Sequence, residues 1–209
     1  MASHGLASET EDHPDPVGIV AMKRRAVFLD RDGVLNEAVI RDGKPYPPAS
    51  VAELLIAPEI KPALLLLRNA GFLLIVVSNQ PDVSRGKTTK EDVEAINAAL
   101  RAQLPLNEIR TCYHDDADQC SCRKPAPGML LEAALAHKLD LSASFIVGDR
   151  WRDVEAGFRA GCKTVFLDRG YREKRPAHAD GVVRSLPEAV AWILSRTAVD
   201  ASERSLTTH

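Results

Sequence analysis

Long apolar runs are missing from this sequence. None exceeds the six residues of Phe72–Val77, whereas a helix crossing a bilayer needs about 20. The first sixteen residues hold acids and prolines but no apolar core, so no secretory signal is expected there. An excess of one charge is also missing. With 27 Lys and Arg against 29 Asp and Glu, the net charge is −2, which implies no general attraction to nucleic acid or to an anionic membrane. Cysteine is scarce, at four in 209 residues. A cytoplasmic location is expected, where thiols stay reduced, so a cluster of cysteines points to metal or catalysis rather than to disulfides. No internal repeat or low-complexity tract occurs. What remains is an ordinary composition, 45% hydrophobic and 27% charged, with enough apolar material for one core.

The pattern predicts a flexible leader over 1–24, a single domain over 25–197 and a flexible tail over 198–209. Within the domain, short apolar runs alternate with helical spacing. Ala26–Leu29, Phe72–Val77, Ser144–Val147 and Thr164–Leu167 read as strands, with Ile109–Tyr113 as a shorter one. Between them, Ile60, Ala63, Leu64 and Leu67 share a helical face. Thr89 caps the next helix with Asp92 three residues on. Helices also follow over 128–138, over 152–160 with Gly161 as the stop, and over 187–196. Residues 36–58, with prolines at 45, 47 and 48, read as a long loop. Buried strands alternating with amphipathic helices predict an α/β fold, a doubly wound and mostly parallel sheet. Ligands of such sheets bind beyond the carboxyl ends of the strands.

Three strand ends carry the chemistry. Ala26–Leu29 runs straight into Asp30-Arg31-Asp32-Gly33, and a pair of carboxylates at the end of a buried strand is costly to desolvate. An Asp-Gly turn closing a hairpin is the plain alternative. Ser78 and Asp149, at the ends of later strands, decide against it, because the sheet would deliver all these groups to one edge. Asp30, Asp32 and Asp149 suit Mg²⁺, a hard cation that prefers oxygen ligands and substrate phosphate. A metal-bound carboxylate stays ionised and can attack phosphorus, while a second acid two residues on can give and take the proton. Ser78 and Lys124 are the candidate donors to the phosphoryl oxygens.

These residues resemble a known family. Asp30-Arg31-Asp32-Gly33-Val34-Leu35-Asn36 is similar to the first motif of the haloacid dehalogenase-like phosphatases. Ser78-Asn79-Gln80 is similar to the second, Arg123-Lys124-Pro125 to the third, and Gly148-Asp149-Arg150-Trp151-Arg152-Asp153 to the fourth. All four occur in order. The resemblance implies that Asp30 is the nucleophile forming an aspartyl-phosphate and that Asp32 is the general acid and base. It further implies Mg²⁺ held by the Asp30 carboxylate, the Asp32 backbone carbonyl and Asp149. Ser78 and Lys124 would hold the phosphate, and Asp153 would support the metal site from behind. Asn79, Arg85, Arg123 and Arg150 are the expected substrate contacts.

A second constellation is Cys112-Tyr113-His114 followed by Cys120-Ser121-Cys122. Three thiols and an imidazole supply the four ligands of a closed structural Zn²⁺ site, and zinc prefers these sulfurs to Asp115, Asp116 and Asp118 between them. Three reduced cysteines in a polar loop is the bland alternative. The arrangement resembles the zinc loop of heptose-bisphosphate and histidinol-phosphate phosphatases, a branch with a minimal cap. Arg123-Lys124-Pro125-Ala126-Pro127-Gly128-Met129 is more like the heptose side. The five-residue spacer between His114 and Cys120, and Arg150, are more like the histidinol side, and Pro81-Asp82 departs from the heptose pattern. The preferred expectation is a monomeric Mg-dependent enzyme that takes the 7-phosphate from a heptose 1,7-bisphosphate, with a small phosphorylated metabolite as its partner. Histidinol-phosphate hydrolysis, a phospho-accepting receiver-like domain and a polynucleotide 3′-phosphatase are the alternatives. Cys162, between a helix end and a strand, is expected to be a small core residue.

Overall fold

The computed structural model describes residues 23–206, with side chains as far as 198. Most of the expected leader and the last three residues of the expected tail lie outside the described residues. The backbone forms β1 (Arg25–Leu29), β2 (Val39–Arg41), β3 (Lys44–Tyr46), α1 (Ile60–Asn69), β4 (Phe72–Asn79), α2 (Lys90–Gln103) and β5 (Glu108–Cys112). It continues through α3 (Gly128–His137), β6 (Phe145–Gly148), α4 (Trp151–Ala160), β7 (Lys163–Leu167), β8 (Gly181–Val183) and α5 (Leu186–Leu206).

Six strands make one parallel sheet in the order β5-β4-β1-β6-β7-β8. Because successive side chains point to opposite faces, each central strand feeds two cores. Val27, Leu29, Leu74, Val76, Val147 and Val165 pack with residues of α1, α2 and α5 on one face. Ala26, Phe28, Leu73, Ile75, Val77 and Ile146 pack with α3 and α4 on the other. This explains the unbroken apolar runs: every one of Ala26–Leu29 is fully buried. The helix signals act as expected. Thr89 accepts from the Asp92 backbone N–H at 3.1 Å, and Asp92 accepts from that of Thr89 at 3.3 Å. Gly161 ends α4 with φ of 82°.

The chain winds outward from β1 through β4 to β5, then returns to the other side of β1 through β6. The order therefore reverses between β1 and β6, which opens a crevice at their carboxyl ends. Asp30 enters it immediately after β1, donating its N–H to the Val147 carbonyl at 3.0 Å.

Three expectations need correction. Residues 36–58 are not one long loop, since β2 and β3 pair as an antiparallel hairpin there and a 3₁₀ turn follows at Val51–Glu53. Strands of three residues, one of them containing Pro45, carry too little apolar alternation to announce themselves. The edge strand β8 was also not expected. The last helix runs to Leu206, beyond the end expected near Arg196 and through most of the segment expected as a tail. No helix among the described residues is long and apolar enough to cross a membrane.

Candidate active site

Four charged groups meet at the reversal point. Asp30, Asp149 and Asp153 bring one carboxylate oxygen each to within 4.8 Å of the others, and all three are buried. The Lys124 ammonium donates to Asp30 Oδ1 at 2.8 Å and to the Val77 carbonyl at 2.7 Å, and pairs with Asp153 Oδ1 at 2.5 Å. Burial pushes the Asp30 carboxyl up to about 6, against the pull of Lys124. Burial is also the largest influence on Asp149, and the Asp30 and Asp153 charges add to it, so its carboxyl lies well above the usual range. Burial opposes the charge on Lys124, but Asp153 and Asp30 outweigh it and hold the ammonium protonated.

One lysine does not balance three buried carboxylates. Neither oxygen of Asp149 finds a hydrogen-bond donor in bonding geometry among the described residues, although the Tyr171 hydroxyl stands beside it. A hard divalent cation, which wants oxygen ligands, fits this donor set. Asp153 differs from the other two in that both its oxygens are occupied. Oδ1 faces Lys124 and Oδ2 accepts from the Arg150 N–H at 3.0 Å at the start of α4, the geometry of a supporting group. Gly33, with φ of 89°, presses against Asp149 so closely that a Cβ there would collide with the carboxylate.

Asp32 points to a different set of partners. It accepts from Arg31 at 3.0 to 3.2 Å, from Asn36 Nδ2 at 3.0 Å and from Gln80 Nε2 at 2.7 Å. Arg31 is wholly buried and anchored to Asn97 Oδ1 at 3.0 Å. Gln80 also donates to Ser78 Oγ at 2.8 Å, so one amide orients residues from two motifs. The rest of the fixation comes from Asn79. Its Nδ2 donates to the Lys124 carbonyl at 2.9 Å and its Oδ1 accepts from the Lys124 N–H at 3.1 Å.

A cavity of about 250 Å³ opens over these groups, bordered by Asp30, Asp32, Ser78 and Lys124. The expected substrate contacts divide there. Asn79, Arg85 and Arg150 line it, but each is already engaged, Asn79 with the Lys124 backbone as described. Arg85 grips Asp115 at 2.6 and 2.8 Å, and that hydrogen bonding pulls the Asp115 carboxyl down to about 2. Arg150 grips Glu173 at 2.6 and 2.8 Å. Arg123 does not line the cavity. Its guanidinium donates to Asp116 at 2.8 Å and to the His114 carbonyl at 3.3 Å, and Arg152 reaches the same Asp116 at 2.9 Å.

Lys44 to Pro47 and Lys87 line the cavity from the two loops, 37–58 and 81–87, that the sequence places as its walls, whereas sequence reasoning missed Arg152 and the segment after β7. In that segment Arg169 donates to the Gly33 carbonyl at 2.9 Å, Tyr171 lies beside Asp149, and Glu173 holds Arg150. Its position beyond a strand's carboxyl end was the one signal available.

The expected zinc ligands converge. Sulfur–sulfur distances among Cys112, Cys120 and Cys122 are 3.2 to 3.7 Å, and His114 Nδ1 lies 3.3 Å from Cys122 and 3.6 Å from Cys112. Tetrahedral zinc with bonds near 2.3 Å separates its sulfurs by about 3.8 Å, so the four atoms surround a point of the right size. Although burial opposes it, hydrogen bonds from Cys122 and from the Arg123 N–H bring the Cys120 thiol down to about 7, whereas burial pushes the Cys112 and Cys122 thiols up. Cys162 is buried apart from this group, and burial pushes its thiol up to about 12, an inert core position.

A family model described as HAD-hydrolase-like matches residues 121–189. Among curated proteins, the D-glycero-D-manno-heptose-1,7-bisphosphate 7-phosphatase of Chlorobaculum tepidum is 34% identical over 168 residues, covering 72% of this chain and 81% of its own. The D-glycero-beta-D-manno-heptose-1,7-bisphosphate 7-phosphatase of Helicobacter pylori is 31% identical over 177 residues, covering 81% and 97%. Among solved structures, the D,D-heptose 1,7-bisphosphate phosphatase of B. bronchiseptica, complexed with magnesium and phosphate, superimposes with a TM-score of 0.67 at 27% identity. That match covers 82% of this chain and 99% of the other.

Proposed function

Since this chain belongs to the haloacid dehalogenase-like phosphatases, in the family of the heptose 1,7-bisphosphate 7-phosphatases, we propose that it hydrolyses the 7-phosphate of a heptose 1,7-bisphosphate through an aspartyl-phosphate on Asp30. The observation that carries this reading is the buried Asp30–Lys124–Asp153 chain beside the unpartnered Asp149. Asp30 Oδ1 is held by Lys124, which leaves the other oxygen to attack phosphorus. As that P–O bond forms, the bond to the sugar oxygen breaks, and Asp32 gives the leaving oxygen its proton. Asp32 then takes a proton from water, which attacks the phosphoryl-enzyme, releases inorganic phosphate and restores Asp30. Ser78 Oγ and the Lys124 ammonium hold the phosphoryl oxygens throughout.

Asp30, the Asp32 backbone carbonyl and Asp149 would hold Mg²⁺, with Asp153 supporting them. When bound, the ion supplies positive charge shared by the carboxylates and the phosphoryl oxygens. Cys112, His114, Cys120 and Cys122 would hold Zn²⁺, stiffening the loop that leads into Lys124. Asn79 acts here on Lys124 rather than on the sugar. The reading treats the enzyme as cytoplasmic, where these thiols stay reduced, and as monomeric, with a small sugar phosphate as partner and neither nucleic acid nor membrane.

The test is Mg²⁺-dependent phosphate release from heptose 1,7-bisphosphate, histidinol phosphate and a 3′-phosphorylated oligonucleotide, with Asp30→Asn as the blank. The bisphosphate should be preferred by at least about tenfold in kcat/KM, roughly 1.4 kcal/mol. A preference for histidinol phosphate would overturn the substrate, and substantial turnover by Asp30→Asn would remove Asp30 from its role.

A further inference from the structure

The cavity wall carries six cations, and four are already matched. Lys124 faces Asp30 and Asp153, Arg85 faces Asp115, Arg150 faces Glu173 and Arg152 faces Asp116. Lys44 and Lys87 line the same cavity, and neither ammonium has an ion pair or hydrogen bond among the described residues. We propose that Lys44 and Lys87 form an anion subsite that holds the phosphate not being cleaved, and so select a bisphosphate over a monophosphate. This inference rests on the substrate class proposed above and names the residues that read it.

Charge and fixed backbone both favour this pair. A doubly charged group at the far end of the substrate needs cations whose charge is not already neutralised. The expected reader, Arg123, is turned out of the cavity onto Asp116 and the His114 carbonyl. Lys44 opens β3 just after the Asp42-Gly43 turn, whose φ values of 52° and 76° suit a tight hairpin. The Arg172 N–H donates to the Gly43 carbonyl at 3.1 Å and ties that hairpin to the segment bearing Glu173. Lys87 follows Gly86, with φ of 66°, and its own N–H donates to the Asp82 carbonyl at 2.8 Å. Both side chains thus leave anchored backbone, which limits the ordering cost of gripping a ligand. Lys87 also borders an adjoining cavity of about 190 Å³ shared with Tyr46, Pro47 and Gln80. Open space therefore continues beyond the main cavity on the side of Lys87.

Steady-state kinetics of the full chain test this with Lys44→Gln, Lys87→Gln and the double variant. The paired substrates are heptose 1,7-bisphosphate and heptose 7-phosphate, the same sugar without its anomeric phosphate. Each substitution should raise KM for the bisphosphate about tenfold, the scale of one charge-assisted contact to phosphate. KM for the monophosphate should move less than about twofold, and kcat should hold on both. Unchanged KM for the bisphosphate in the double variant, or an equal rise on both substrates, would overturn the subsite. The wild type separates the two readings. If it does not cleave the bisphosphate, the substrate class fails and the subsite with it; if it prefers the bisphosphate and the double variant keeps that preference, only the subsite fails.

Discussion

Removing the buried ammonium is the sharpest test of the electrostatic frame around Asp30. Lys124 is 2% exposed, and its Nζ lies 2.8 Å from Asp30, 2.5 Å from Asp153 and 2.7 Å from the Val77 carbonyl. Lys124→Met keeps much of the volume and deletes the charge. What is left is a set of buried carboxylates within 4.8 Å of one another, repelling and no longer offset. Breaking a buried pair from one side costs about 3–5 kcal/mol. At about 2–4 °C per kcal/mol for a domain of this size, the melting temperature in EDTA should fall by roughly 10 °C. The sign has a second signature. Deleting one of the repelling charges as well, in Lys124→Met/Asp30→Asn, should recover at least about half the loss. Excess Mg²⁺ should raise the melting temperature of Lys124→Met more than that of the wild type, because the cation replaces the missing positive charge. Differential scanning fluorimetry with and without EDTA reads all of these. A Lys124→Met variant melting within about 2 °C of the wild type in EDTA would show that this lysine does not offset the repulsion of the buried carboxylates, and would refute the reasoning.

Asn79→Ala removes the two hydrogen bonds that its side chain makes to the Lys124 backbone, so kcat should fall by about 10- to 100-fold, as a misplacement of about 1 Å can cause, with KM little changed. A raised KM at unchanged kcat would instead mark Asn79 as a substrate contact. The purified chain should carry about one zinc per molecule, the capacity of a closed four-ligand site. Stripping it should speed hydrogen exchange over 112–127 and lower kcat, because the loop leads directly into Arg123 and Lys124. Intact, fully active protein without zinc would exclude that role.

Much of this was legible because local chemistry and the fold agreed. The unbroken apolar run of Ala26–Leu29 reads as a strand buried on both faces, and the two cores pack against its alternate sides. Asp30, Ser78 and Asp149 stand at strand ends, and a doubly wound sheet brings such ends to one edge whatever the sequence between them. Cys112, His114, Cys120 and Cys122 are close in the chain, so a short loop suffices to bring them together. The hairpin escaped notice because β2 and β3 are three residues each, mostly exposed, and β3 contains Pro45. Nothing in a polar stretch of that kind distinguishes a strand from a loop.

The sequence by itself determined the fold class and singled out Asp30 and Asp149, and the group of Cys112, His114, Cys120 and Cys122, which the fold then brings together. Each of these depends on residue type and on spacing along the chain. Only the tertiary structure decided which cations remain available to a ligand. An arginine beside a motif looks the same in the sequence whether it meets substrate or a carboxylate from elsewhere. Arg85 meets Asp115, Arg150 meets Glu173 and Arg123 meets Asp116, while Lys44 and Lys87 meet no carboxylate among the described residues. Pairing of charges distant in sequence is a property of the packed molecule, because the Coulomb energy that sets it depends on separation in space.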